Sequence, residues 1–199
     1  MSWLSDYRLR GIAILLLAAL IGGSALLYRW LTPAGLDLGQ SLIGGPFELV
    51  VQDVKPVRDT DLRGRFLLLY FGFIFCPDAC PTALVAMADA IERLGDAADR
   101  VTPVFITVDP ERDTPAALKD YIGNFHPRLI GLTGSPEAIA RAAKAYRVFY
   151  RRADNSGTTE YLMEHSSIVF LIGPDGRYLT HFTHASDPET MAREIRKRF

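Results

Sequence analysis

The chain has 199 residues, enough for one domain of ordinary size with a tail or anchor and too few for two. Hydrophobic residues make up 49% and charged residues 23%, which excludes a disordered or low-complexity tether. The 22 basic side chains nearly balance the 23 acidic ones, so no chain-wide field points to nucleic acid, and two cysteines are too few for a disulfide scaffold.

Residues 1–10 carry Arg8 and Arg10 and precede an uncharged run, Gly11 to Tyr28, that Trp30 and Leu31 extend. At helical rise, about 18 residues cover roughly 27 Å, close to the hydrocarbon core of a bilayer. A single transmembrane anchor is therefore expected over 11–31. Arg29 alone follows the run closely, so the positive-inside bias leaves the N-terminus in the cytoplasm and exports the remainder. Gly23-Ser24-Ala25 also offers a small-x-small cleavage site, and a cleaved signal would export the domain equally; a buried core helix is the third alternative. Residues 32–45, rich in turn formers, read as a linker, and 46–199 as the folded domain.

Within the domain, Phe47 to Val51 and Val57 to Asp59 read as short strands. Arg65 to Phe71 is nearly continuously apolar, as expected of a central strand buried on both faces. After a break from Gly72 to Pro81, Leu84, Val85, Ala88, Ile91 and Leu94 recur at helical period, predicting a helix over Thr82 to Leu94. Val101 to Val108 reads as a second buried strand, and Pro115 to Phe125 as a helix capped by Asp113 or Thr114. A short strand, Leu129 to Leu132, leads to a helix starting at Ser135-Pro136-Glu137 and running to Tyr146. Ser167 to Ile172 and Arg177 to Phe182 flank Gly173-Pro174-Asp175-Gly176, a hairpin signal, and a last helix covers Pro188 to Lys197. This order predicts an α/β thioredoxin-like sandwich with a central mixed sheet.

Cys76 and Cys80 lie in the loop between the first buried strand and its helix. There a βα loop presents side chains at the C-terminal edge of a sheet, and Cys80 falls at the helix start, where the dipole and free N–H groups favour thiolate. The spacing is one residue longer than the CxxC of standard thioredoxins, and a metal reading needs a third ligand. The four histidines are the choices. His165 immediately precedes a buried strand and is the best placed; His181 and His184 are three apart on an extended segment; His126, before Pro127, reads as solvated or capping. Redox pair and metal site both remain open at this point.

The segment Tyr70-Phe71-Gly72-Phe73-Ile74-Phe75-Cys76-Pro77-Asp78-Ala79-Cys80-Pro81, with Val108-Asp109-Pro110-Glu111-Arg112-Asp113-Thr114-Pro115 and His165, resembles the Sco/SenC family over about residues 45–199. The resemblance implies a membrane-anchored copper chaperone, not an enzyme, that delivers copper to the CuA site of cytochrome c oxidase subunit II. By it, Cys76, Cys80 and His165 become ligands for Cu(I) or Cu(II), and Asp78 and Asp109 match positions linked to copper handling or partner docking; turn and cap chemistry is their bland alternative. Cys76 and Cys80 are also the redox-active pair, so a thiol reductant and a copper donor are implied partners. The implied location is a bacterial inner membrane with the domain in the periplasm, the alternative being a mitochondrial inner membrane facing the intermembrane space. Glu164 stands where the family often has Asp, Lys55-Pro56 replaces a turn usually containing Gly, and Ile74 replaces a polar residue. The competing readings are a tethered thiol–disulfide oxidoreductase that reduces the CuA-site cysteines and a peroxiredoxin-like peroxidase. The latter lacks its Pro-x-x-x-Thr-x-x-Cys arrangement.

Overall fold

The structure, a computed structural model, describes residues 16–24, 43–153, 161–183 and 186–199. The chain divides into two units, Met1–Gln40 and Ser41–Phe199. In the first, residues 16–24 form helix α1, with Leu16, Leu17, Leu20 and Ile21 exposed. The rest of the expected anchor over 11–31 lies outside the described residues, and among those described no helix is long and apolar enough to cross a membrane.

The second unit is built on a seven-stranded mixed sheet. Its strands are β1 (Glu48–Val51), β2 (Pro56–Arg58), β3 (Phe66–Gly72), β4 (Val101–Thr107), β5 (Ile130–Thr133), β8 (Ile168–Ile172) and β9 (Tyr178–Thr183), in the order β2-β1-β5-β4-β3-β8-β9. β3 runs parallel to β4 and β4 to β5, while β8 joins β3 antiparallel, with Tyr70 opposite Val169. Every residue of β3 is buried, which is why its sequence lacks polar alternation. Because successive side chains point to opposite faces, Tyr70 and Gly72 share one face and Phe71 the other.

Helix α2 (Ala79–Arg93) lies on the Tyr70 face, and α5 (Pro188–Arg196) packs against it. Helix α3 (Pro115–Ile122) sits against β5, where Ile122 and Leu118 close over Gly131. On the opposite face, Tyr146, at the end of α4 (Pro136–Ala145), contacts Phe71, Phe170 and Phe47. Thr114, Ser135 and Asp187 cap α3, α4 and α5 through their side-chain oxygens, each followed by Pro at the first helical position.

Several expectations need correction. α2 begins at Ala79, three residues before the predicted start, because Pro81 falls in the first turn, where a missing N–H leaves no intrahelical bond unmade. α3 stops at Ile122 instead of Phe125, followed by Gly123 and a turn. Thr114 and not Asp113 is the α3 cap. A two-stranded ribbon, β6 (Tyr150–Arg152) and β7 (Met163–His165), was not anticipated; its strands are short and its partners distant in sequence. His165 therefore ends this ribbon instead of opening β8. His126 is buried, not solvated: its Nδ1 accepts from the Arg128 N–H, which leaves the proton on Nε2, 3.2 Å from Glu92. His184 lies outside the described residues.

Candidate metal centre

β3 delivers the cysteine loop to the C-terminal edge of the sheet, and α2 and β7 close around it. The sulfurs of Cys76 and Cys80 and a ring nitrogen of His165 all lie within 4.8 Å of one another, the single cluster of this kind among the described residues. Cys80 is fully buried and Cys76 partly exposed, and both are free thiols. The His165 Nε2 stands 3.4 Å from the Cys80 sulfur. Its Nδ1 faces the Ser166 carbonyl at 3.2 Å, and a carbonyl only accepts, so Nδ1 carries the proton and Nε2 presents its lone pair to the sulfurs. A backbone carbonyl holding one ring nitrogen is the usual way a ligand histidine is oriented. Tyr70 and Phe73 meet the imidazole edge-on, at 5.9 and 5.7 Å between centroids.

The two sulfurs are electrostatically unequal, and the assignment differs from the sequence expectation. Cys80 lies within the first turn of α2 and points into the core. Cys76 lies before the helix, where the Cys80 backbone N–H donates to its sulfur at 3.3 Å. The Cys80 thiol directed at Cys76 and these backbone donors pull Cys76 down to about 5 despite partial burial. Cys80, donating toward Cys76 and buried, is pushed far above the ordinary thiol range. The metal-free pair thus shares one proton, held on Cys80. Tyr70, raised by burial and by the sulfur beside it, stays a phenol; its oxygen shares a hydrogen bond with the Ser167 hydroxyl at 3.0 Å, and its O–H is directed to Cys80 Sγ at 3.9 Å. Iodoacetamide is accordingly expected to label Cys76 before Cys80. Peptide mapping should find Cys76 labelling nearly constant from pH 6 to 9, whereas an ordinary thiol would accelerate about tenfold per unit below its pKa.

Asp78 and Asp109 do not join the ligand cluster. Asp78 is exposed at the start of α2 and accepts from the Thr82 hydroxyl at 3.2 Å. Asp109 is buried; it takes the Tyr161 hydroxyl at 2.7 Å and pairs with Arg112 at 2.5 Å. The Arg112 guanidinium also stacks on Tyr161, at 3.7 Å, and on the exposed Phe75 beside Cys76, at 4.7 Å. Asp109 thus acts on the cysteine loop through Arg112. Glu164 pairs with Arg151 at 2.8 Å on the ribbon.

Sequence reasoning passed over two groups that shape the site. Gly72 read as the start of the break after the strand, yet it ends β3, and a Cβ there would lie 2.8 Å from Cys80 Sγ. Asp113 read as a cap; it is fully buried, burial pushes it up to about 6, and it holds the start of the cysteine loop. Beforehand, Gly72 showed only as a neighbour of the CxxxC segment and Asp113 only as a member of the second motif, Val108 to Pro115.

The SCO1/SenC family matches residues 37–199. A mitochondrial SCO1 homolog of Arabidopsis thaliana is 40% identical over 168 residues, covering 82% of this chain and 50% of the relative, so the chain spans about half of that relative's length. Among solved structures, Bradyrhizobium japonicum ScoI with copper bound aligns with a TM-score of 0.73 and 39% identity, over 79% of this chain and 99% of that one. BsSco, described as having a disulfide switch and as a member of the Sco family of cytochrome c oxidase assembly proteins, aligns with a TM-score of 0.61 and 25% identity, over 78% and 92% of the two chains. The fold is thioredoxin-like, with a central mixed sheet, and the chain belongs to the SCO1/SenC family.

Proposed function

We propose that this chain is a membrane-tethered copper chaperone, not an enzyme, that binds copper through Cys76, Cys80 and His165 and delivers it to the CuA site of cytochrome c oxidase subunit II. The observation that carries the reading is the donor set, two sulfurs and one oriented imidazole within 4.8 Å. Two thiolates and an imidazole suit Cu(I) in low coordination and hold Cu(II) with an added ligand, whereas zinc ordinarily takes four. The relatives add to it: Bradyrhizobium ScoI is described with copper bound, and BsSco belongs to a family of oxidase assembly proteins.

The chain's own residues supply the handling. Nδ1 of His165, tied to Ser166, keeps Nε2 turned to the metal, and Cys80 anchors the cargo from the buried side. Cys76 forms the open side, so an incoming ligand meets the copper there and Cys76 is the first to release. Residues 11–31 serve as the anchor, 32–45 as the linker and 46–199 as the copper domain, with 1–10 in the cytoplasm and the domain in the periplasm. Copper comes from a donor protein, and a thiol reductant keeps the pair as a dithiol, since a disulfide would remove both sulfur ligands.

The depressed thiolate of Cys76 favours one second reading, a thiol–disulfide oxidoreductase acting on the CuA-site cysteines. Cys76 would attack the partner disulfide, release one partner thiolate and form a mixed disulfide. Cys80 would then resolve it, leaving this chain oxidised by two electrons and the partner reduced by two. The test uses the detergent-solubilised full chain and the CuA-bearing domain of subunit II. Copper-loaded chain is expected to transfer metal to the reduced, metal-free CuA domain, read by its absorption bands. If no copper moves while the copper-free chain reduces the oxidised CuA domain, delivery is wrong and the redox reading stands.

A further inference from the structure

The first turn of the cysteine loop is held by a side chain outside the ligand set. Asp113 Oδ2 accepts the Thr107 hydroxyl at 2.6 Å and the Ile74 N–H at 3.1 Å. Ile74 is two residues before Cys76, and the Cys76 N–H in turn donates to the Phe73 carbonyl at 3.3 Å, closing a turn over that anchored amide. Asp113 is itself fixed to the scaffold: its N–H donates to the Asp109 carbonyl at 2.9 Å, and its carbonyl accepts from Thr133 of β5 at 3.1 Å. A group fixed to the scaffold therefore grips the loop backbone two residues before a ligand. Both donors converge on one oxygen, and the buried Oδ1 has no hydrogen-bond partner among the described residues.

We propose that Asp113 is a positioning residue for the metal centre, fixing the loop backbone at Ile74 and through it the place of the Cys76 sulfur relative to Cys80 and His165. The inference rests on the copper reading above for its metal readouts and stands without it for its thiol readout. Because only Oδ2 is used, an asparagine with its carbonyl oxygen in that place keeps both bonds, and its amide takes the place of Oδ1. The Asp113→Asn variant is thus a conservative rescue, and Asp113→Ala removes the grip.

Four quantities are measured on the full chain in detergent: copper affinity by chelator competition, the energy of the Cu(II)–thiolate absorption band, the dithiol/disulfide midpoint potential of the metal-free protein, and backbone amide hydrogen exchange. Supporting residues around a metal site typically change affinity by about 10- to 100-fold when lost. Asp113→Ala is expected to lose affinity in that range, shift the band and move the potential, with the Ile74 amide exchanging faster while the amides of β3 stay protected. Asp113→Asn is expected to stay within about threefold of the parent in affinity, on the same scale. An alanine variant with parental affinity, band and potential overturns the inference, as does an asparagine variant that loses as much as alanine. Should the alanine variant fail to fold, Thr107→Val removes one of the two donors: a band shift supports the inference, and an unchanged band overturns it. A parent chain that takes up no copper refutes the copper reading instead, and the midpoint potentials then decide the role of Asp113 alone.

Discussion

Cys80→Ser is expected to remove tight copper binding while leaving the domain folded. Structural zinc sites with four ligands bind with about 10–16 kcal/mol, so one ligand carries about 3–4 kcal/mol, equivalent to about 10²–10³ in affinity. Cys80 sits toward the top of that range, because it is the buried sulfur, fully shielded from competing water. A serine hydroxyl placed there is not left unsatisfied, since the His165 Nε2 that faces the Cys80 sulfur at 3.4 Å can accept from it. His165→Ala is expected to fall within the same range, and it removes the only nitrogen donor of the cluster. Chelator competition on the full chain measures both. A His165→Ala variant that holds copper within about twofold of the parent, far below the share of one ligand, would show that the third ligand has been misassigned.

Gly72→Ala is the second large effect, and it links fold to site. A Cβ at this position would stand 2.8 Å from Cys80 Sγ, 2.8 Å from Phe105 Cε2 and 2.9 Å from Tyr70 Cε1. All three neighbours are fully buried, so none can swing into solvent to make room. Overpacking of this kind costs about 1–3 kcal/mol, which for a domain of this size lowers Tm by about 2–10 °C. The displaced atom that matters is the sulfur: if Cys80 yields, copper affinity falls together with Tm. Phe105→Leu trims one of the clashing rings, so the double variant is expected to recover part of the lost stability, a coupling that a double-mutant cycle reads directly. Equal melting temperatures for Gly72→Ala and the parent would contradict the close approach of Cys80 to this strand.

Much of the architecture was legible because local chemistry and tertiary demand agree. The uninterrupted apolar run in β3 announces a strand covered on both faces, and its seven residues are all buried. The helix starts expected at Pro115, Pro136 and Pro188 are kept by the fold, each behind a side-chain cap. The β6–β7 ribbon was not legible, because each strand has three residues and the pairing that stabilises them spans a long intervening segment. His126 read as solvated or capping, and its burial was not legible, because a histidine before proline carries no sign of the Glu92 side chain that meets it from α2.

The site divides in the same way. By itself the sequence determined the donor types and the Cys76–Cys80 spacing at the end of a buried strand, since these depend on residue identity and on one strand–loop–helix unit; it pointed to His165 by its place before a buried strand and by the family resemblance, and the fold brings that ring to the two sulfurs. Only the tertiary structure decided which sulfur carries the charge, which nitrogen of His165 faces inward and which carboxylate grips the loop. Cys76 is depressed because the start of α2 points a backbone N–H at it, and Cys80 is raised because the core closes over it. Asp113 takes a part that its sequence position did not announce, because the Thr107 hydroxyl of β4 and the Ile74 N–H of the cysteine loop converge on it, while Asp109 turns to Tyr161 and Arg112. Charge and hydrogen bonding act through distance and burial, and those are set by groups that meet only when the chain has folded.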